Sequence, residues 1–320
     1  MLLPAAVASD HSTSHIVQSL VTNLVIAAAK GVAALYTGSG AMLAETLHSA
    51  ADCANQVLLL VGVNRAKRPP DAAHPLGYGR AAYFWSFMVA QLLFAGGGVY
   101  SIYEGVHKIQ HPDPVERVWL GLTILGFSLV LEGRATLANL QEMRKRAKGK
   151  PLMRYIRDTK DGDLVVVFGE NSAATLGLIF AMAAICLASL TGDARWDGIG
   201  TLVIGVILVS VALFLAIEIK SLLVGEAADP EIEAAAREIA KKHPHLEQVL
   251  SVITMQQGPG EVMVALKVRF CSELTGDQIC DAINDFETAM RQRCPEAKWL
   301  FLEPDIIHSG SKTGPHVSRN

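Results

Sequence analysis

The chain has 320 residues, of which 51% are hydrophobic and only 18% charged; 28 basic and 31 acidic side chains leave a formal charge of −3. Ordinary soluble domains carry about 25% charged residues, so lipid must solvate part of this chain, and the same figures exclude a disordered chain or a coiled coil. The acidic balance argues against nucleic-acid binding, and five cysteines with neither CxxC spacing nor an even count suggest no disulfide framework or thiolate zinc finger.

The apolar content lies in the first 225 residues. Residues 16–36 form a run whose one charge is Lys30, and residues 41–64 carry Glu45 and Asp52. Residues 81–103 and 198–217 hold no charge, a run from Val118 meets Glu132 and Arg134 near its end, and residues 164–190 carry only Glu170. A hydrocarbon core of about 30 Å takes roughly 20 helical residues, so six membrane-spanning helices are predicted. The loops after the second and fourth spans hold 12 Lys and Arg against three on the other side (Lys108, Arg117 and Arg195). That bias places both termini in the cytoplasm. No basic segment precedes an early apolar run, so no cleaved signal peptide is expected.

From residue 226 the character changes. Asp229-Pro230 reads as an N-cap with proline at the first helical position, opening a helix to about Lys242. An alternating run follows, then a Gly258-Pro259-Gly260 turn, a second strand from Val262 to Phe270, a helix capped by Thr275, and a last strand around Trp299–Leu302. The predicted architecture is an all-α membrane domain over residues 1–225, a small α+β cytoplasmic domain over 226–308 with the order α-β-β-α-β, ferredoxin-like, and a loose tail over 309–320.

Ionisable residues inside a spanning helix are costly and mark function or a buried pair. His48 and Asp52 stand four apart and share a helix face; Glu45 lies three before His48 and Asn55 three after Asp52, on the same stripe. An imidazole and a carboxylate so spaced can clamp one ion, and they need ligands from a neighbouring helix. Glu170, with Asn171 beside it, is the natural partner; a buried His–Asp hydrogen bond that only glues helices is the competing reading. Asn23 in the first span reads as packing glue.

HxxxD within TGSGAMLAETLHSAADCANQ, the segment HPLGYGRAAYFW after it, and six spans resemble the cation diffusion facilitator family over about residues 12–305. The resemblance implies export of divalent metals, generally zinc, from the cytosol in exchange for protons, by a homodimer whose C-terminal domain helps dimerisation. It implies a transport site with two ligands from the second helix, here His48 and Asp52, and two from the fifth. There Glu170 takes the first position and Ala174 the second, as in a branch with an acidic residue in place of the fifth-helix His. Asn171, Glu45 or a water is left to complete the shell, with Asn23 and Asn55 as polar support. A second family site, in the loop after the second helix, is matched by Asp71 and His74, with Tyr78 at the third ligand position; an ordinary structured turn competes with it. The strands VLSVITM, VMVALKV and WLFLEPD carry no His, so no regulatory zinc site is expected in the C-terminal domain. The expected function is therefore a proton-coupled exporter, not an enzyme, with zinc as the cargo ahead of cobalt, iron(II) or manganese and no permanently bound cofactor. Its expected place is a bilayer, a bacterial inner membrane by its size and alanine content. The alternatives are a transport-inactive dimeric scaffold or metal sensor, and a proton-coupled carrier of an organic cation.

Overall fold

A computed structural model describes residues 23–32, 40–112, 118–147, 151–159 and 162–306, with a few isolated positions besides; the side chains of residues 40–45, 47, 48, 157, 158 and 163 fall outside it. The chain divides into two compact units, Met1–Val224 and Gly225–Asn320.

The first unit is helical. Helices α1 (Asn23–Val32), α2 (Gly40–Ala66), α3 (Ala81–Gln110) and α4 (Val118–Ala147) are followed by a short α5 (Leu152–Asp158) and by α6 (Gly162–Thr191) and α7 (Arg195–Val224). Among the described residues four helices (α3, α4, α6 and α7) are long and apolar enough to cross a membrane. The first of the six predicted spans is described only in part. The second is present as the 27-residue helix α2, with the side chains of its N-terminal part outside the described residues. The spans also run longer than the apolar runs: 30 residues in α4 rise about 45 Å, enough to pass through the headgroup layers as well as the hydrocarbon.

Helix α5 has no counterpart among the predicted elements. Pro151 precedes its first turn, and Leu152, Tyr155 and Ile156 pack into the bundle core at i, i+3, i+4 spacing. That core is centred on Leu59, Tyr83, Met143, Val166 and Leu215, drawn from α2, α3, α4, α6 and α7.

Helix α3 widens into a π-helical stretch over Leu93–Val99, which contains Gly96, Gly97 and Gly98. Beyond it α3 runs backbone to backbone with α7. A Cβ on Gly98 would stand 2.6 Å from Val209 Cγ2, one on Gly105 2.6 Å from Leu202 N, and one on Gly205 2.7 Å from Ile102 N. Each pair of numbers sums to 307, the signature of two antiparallel helices in fixed register.

The second unit follows the order α8 (Pro230–Lys242), β1 (Leu246–Gly258), β2 (Glu261–Phe270), α9 (Gly276–Arg293) and β3 (Ala297–Pro304). Asp229 caps α8 by accepting from Glu231 N at 2.9 Å with Pro230 at N1, and Thr275 and Gln278 form a reciprocal capping box on α9. The sheet order is β1-β2-β3; β2 lies in the centre, antiparallel to β1 and parallel to β3. Val262, Val264, Leu266 and Val268 alternate into a core with Ala236 of α8 and Phe286 and Met290 of α9. A ferredoxin-like sheet begins with a further strand before the first helix. Among the described residues of this unit three strands form the sheet, so that pattern is present only in part.

Candidate metal centre

Helix α2 carries the polar stripe. Asp52 is half-buried on it, and Asn55 and Gln56 are 2% exposed. Asn55 follows Asp52 by three residues, so both project from one side of the helix. From α6, Glu170 meets that side. The Asn55 side-chain amide lies within hydrogen-bonding reach of the Glu170 carboxylate, and Asp52 is close enough for its charge to act on it. Oε1 of Glu170 and Oδ1 of Asn55 are both shut away from solvent with no hydrogen-bond partner among the described residues. Two carboxylates and a buried amide oxygen lie near one another here, and oxygens left unpartnered in a bundle interior are suited to a cation.

His48 stands one turn before Asp52 on α2, and Glu45 lies a further three residues back. Their side chains lie outside the described residues. Among the described residues no three His, Cys, Asp or Glu side chains gather round one point. Asn171 is half-buried, and its backbone carbonyl oxygen accepts from Thr136 Oγ1 of α4 at 3.0 Å; the same hydroxyl meets Thr175 Oγ1 at 2.8 Å. This threonine pair, unremarked in the sequence, fastens α4 to the turn of α6 that carries Glu170. Its one signal was the spacing of Thr175, four after Asn171. Ala174, four residues beyond Glu170, is half-buried, as is Asn23 on α1.

The loop between α2 and α3 has a different character. Asp71 Oδ1 accepts from His74 N at 2.7 Å and Ala73 N at 2.9 Å, while Oδ2 accepts from the Tyr78 hydroxyl at 2.6 Å. The His74 ring lies over Tyr78, with centroids 4.1 Å apart, and its Nδ1 is 3.5 Å from Asp71 Oδ1. Tyr78, followed by the His74 amide, holds the Asp71 carboxyl below its ordinary value, and Asp71 in turn raises the Tyr78 phenol. Both carboxylate oxygens thus take part in closing the turn.

A family model for the cation efflux transmembrane domain matches residues 16–224. The chain belongs to the cation diffusion facilitator family. This facilitator is 35% identical over 243 residues to the mitochondrial proton-coupled zinc antiporter SLC30A9 of Xenopus laevis, covering 75% of this chain and 44% of that protein. It is 29% identical over 267 residues to metal tolerance protein C4 of Arabidopsis thaliana, 83% of this chain and 58% of that one. Against the cation-efflux pump FieF of Shewanella oneidensis it is 26% identical over 293 residues, 90% of both chains. The chain therefore spans less than half the length of the frog antiporter. It is an integral membrane protein, with Asp52, Asn55 and Glu170 all inside the matched cation efflux domain.

Proposed function

We propose that the facilitator is a secondary transporter exporting a divalent metal cation, zinc foremost, from the cytosol in exchange for protons. The observation that carries this reading is the nearness of Asp52 of α2 to Glu170 of α6, with Glu170 Oε1 and Asn55 Oδ1 buried and unpartnered among the described residues. Metal is bound by neutral His48 with ionised Asp52 and Glu170. Two neighbouring carboxylates inside a bundle hold their charge only against a cation, so metal and protons exchange for one another at the same oxygens. A bilayer that separates an acidic outer face from the cytosol then drives release outward and proton return inward. A histidine-plus-carboxylate set of low coordination number favours zinc, with cobalt, iron(II) and manganese as lesser cargoes. The relatives named for zinc and for metal tolerance support this choice. In this reading the protein works as a homodimer with both termini cytoplasmic, in a bacterial inner membrane; the basic bias of the even-numbered loops supports the orientation.

Ala174 favours one second reading, a transport-inactive dimeric scaffold or metal sensor, because the family's usual acid is missing there. Zinc flux into proteoliposomes, with and without a pH gradient, separates the two. Gradient-dependent flux that is lost in Asp52→Ala and in His48→Ala establishes the antiporter. Undiminished flux in Asp52→Ala sinks the site, and absence of flux for zinc, cobalt, iron(II) and manganese from folded wild-type protein selects the scaffold.

A further inference from the structure

The last turn of α3 carries a pair of imidazoles for which the chemistry above has no use. His107 and His111 stand four apart in HKIQH, and the His111 N–H donates to the His107 carbonyl across 2.8 Å, which closes the helical turn between them. Both side chains are exposed, and their rings lie side by side with centroids 5.0 Å apart and planes 30° from parallel. The Tyr103 ring lies one turn back, its centroid 6.4 Å from that of His107 and its plane tilted by 22°. The three rings make a row along one face of the helix.

The turn beneath them is held in place. Lys108, next to His107, is bridged to Asp197 of α7, and the α3 backbone at Gly105 lies against that of Leu202. Zinc takes imidazole nitrogens at about 2.0–2.1 Å, and two of them at a tetrahedral angle set their ring centroids about 5 Å apart. The rings of His107 and His111 already have that spacing, so rotation about χ2 alone brings one nitrogen of each to a common ion. Histidines at i, i+4 on one helix face are the arrangement with which HExxH helices grip zinc. On a fixed turn the second imidazole acts at high effective concentration, so the pair binds as a chelate where a lone surface histidine holds metal weakly. Among the described residues no third His, Cys, Asp or Glu gathers with them, and the remaining coordination positions are open to water. Imidazole donors suit zinc, nickel and copper(II), with copper(II) the strongest of the series.

The pair also has a definite place. From Ala81 to His107 the helix climbs about 39 Å, more than the roughly 30 Å of hydrocarbon. The basic loop with Arg65, Lys67, Arg68 and Arg80 precedes Ala81, so His107 and His111 lie at the other membrane face. We infer that His107 and His111 form a divalent transition-metal site at the membrane face opposite the basic loops, built from residues other than Asp52 and Glu170. The binding itself is independent of the transport reading; that this is the face on which cargo leaves rests on it.

The test is titration of the full chain in detergent with zinc and, as a spectroscopic probe, copper(II), for wild type, His107→Ala, His111→Ala and Asp52→Ala. Wild type is expected to show a copper resonance split by two imidazole nitrogens, and each histidine variant to lose it with binding weakened by about 100-fold. Zinc should also slow amide exchange at His111 in wild type and in neither histidine variant. Metal count, Kd and spectrum unchanged in both histidine variants overturn the inference, as does a two-nitrogen signal that arises only at millimolar copper. Asp52→Ala is expected to keep this site, and undiminished zinc flux in that variant sinks the transport centre while leaving His107 and His111 standing. Zinc flux lost in Asp52→Ala beside unaltered metal binding in the histidine variants sinks this inference alone. In sealed vesicles with the C-terminal domain outward, an impermeant chelator should leave this metal in place; its removal overturns the assignment to the opposite face.

Discussion

Lys108 Nζ donates to Asp197 Oδ2 across 2.9 Å, joining the last turn of α3 to the first turn of α7 with side chains only 21% and 19% exposed. The bridge lies at one end of the glycine seam, where the two backbones are already in contact. Removing one partner leaves the other charge poorly solvated, which costs more than deleting both. Lys108→Met is expected to destabilise the bundle by about 1–3 kcal/mol. Lys108→Met/Asp197→Asn should recover part of that loss. Thermal unfolding of the two variants in detergent measures the difference; equal losses would show that the bridge contributes little.

The seam itself makes a sharper contrast. A methyl on Gly105 meets Leu202 N at 2.6 Å, and that neighbour is backbone, so α3 and α7 must separate. Gly105→Ala is expected to cost about 1–3 kcal/mol by overpacking. Gly133 of α4 has nothing within 4 Å of the same methyl, and Gly133→Ala should be neutral or stabilising by up to about 1 kcal/mol. The same unfolding assay reads both, and a tolerated Gly105→Ala would show that the seam yields.

What could be read in advance depended on the range of the interaction. Glu170 stood out because a lone acid in an apolar run is conspicuous at the level of one residue, and Asp52 because it stands four from His48 on one helix face. Asp229-Pro230 and Thr275 announced their helices because caps are local chemistry, completed within three residues. Asn55 was legible only as polar support, because its reach to Glu170 depends on how α2 meets α6. Gly98, Gly105 and Gly205 were invisible as a seam, since their pairing is a register between helices about 100 residues apart in sequence. Helix α5, with seven residues, is too short for periodicity to separate it from a basic loop.

The α2–α3 turn should respond to acid and to little else. The Asp71 carboxyl is held below its ordinary value by Tyr78 first and the His74 amide second. A depressed folded value means the contribution is complete above the unfolded carboxylate range, near pH 4, and fades as pH falls through the lower folded value. Protection of the His74 and Ala73 amides, taken relative to intrinsic exchange at each pH, should therefore be constant at pH 5 and above and fall in stronger acid. Asp71→Asn and Tyr78→Phe should exchange faster across the whole range. Protection that persists unchanged into strong acid would show that the Asp71 carboxylate does not hold the turn.

Asn55 tests the positioning of Glu170 without touching a charge. Its amide is a hydrogen-bonding group within reach of that carboxylate, and outer partners of metal ligands commonly affect affinity by about 10–100-fold. Asn55→Leu is expected to weaken zinc binding by about that factor, with the fold intact by thermal unfolding. Asn55→Asp keeps the shape but adds a third negative charge, which should tighten zinc and slow its release. If Asn55→Leu binds zinc as the wild type does, Glu170 is positioned by something else.

Ala174 is where an acid can be supplied. It lies four residues beyond Glu170 on α6, one turn further along the same face, and is half-buried. With His48, Asp52 and Glu170 as the proposed ligands, a carboxylate there makes the fourth protein ligand of a closed tetrahedral shell. Closed shells hold zinc more firmly than sites that keep an open position. Ala174→Asp is accordingly expected to lower the zinc Kd by about tenfold or more while reducing turnover, because firmer binding of the cargo on both sides of the membrane slows the step that must release it. The variant also raises the count of exchangeable protons by one, so its flux should depend more steeply on the pH gradient. Zinc titration and gradient-driven flux on the same preparation read both effects. An Ala174→Asp variant with unchanged Kd would place position 174 off the metal's path, and the shell would then be completed from α2 or by water.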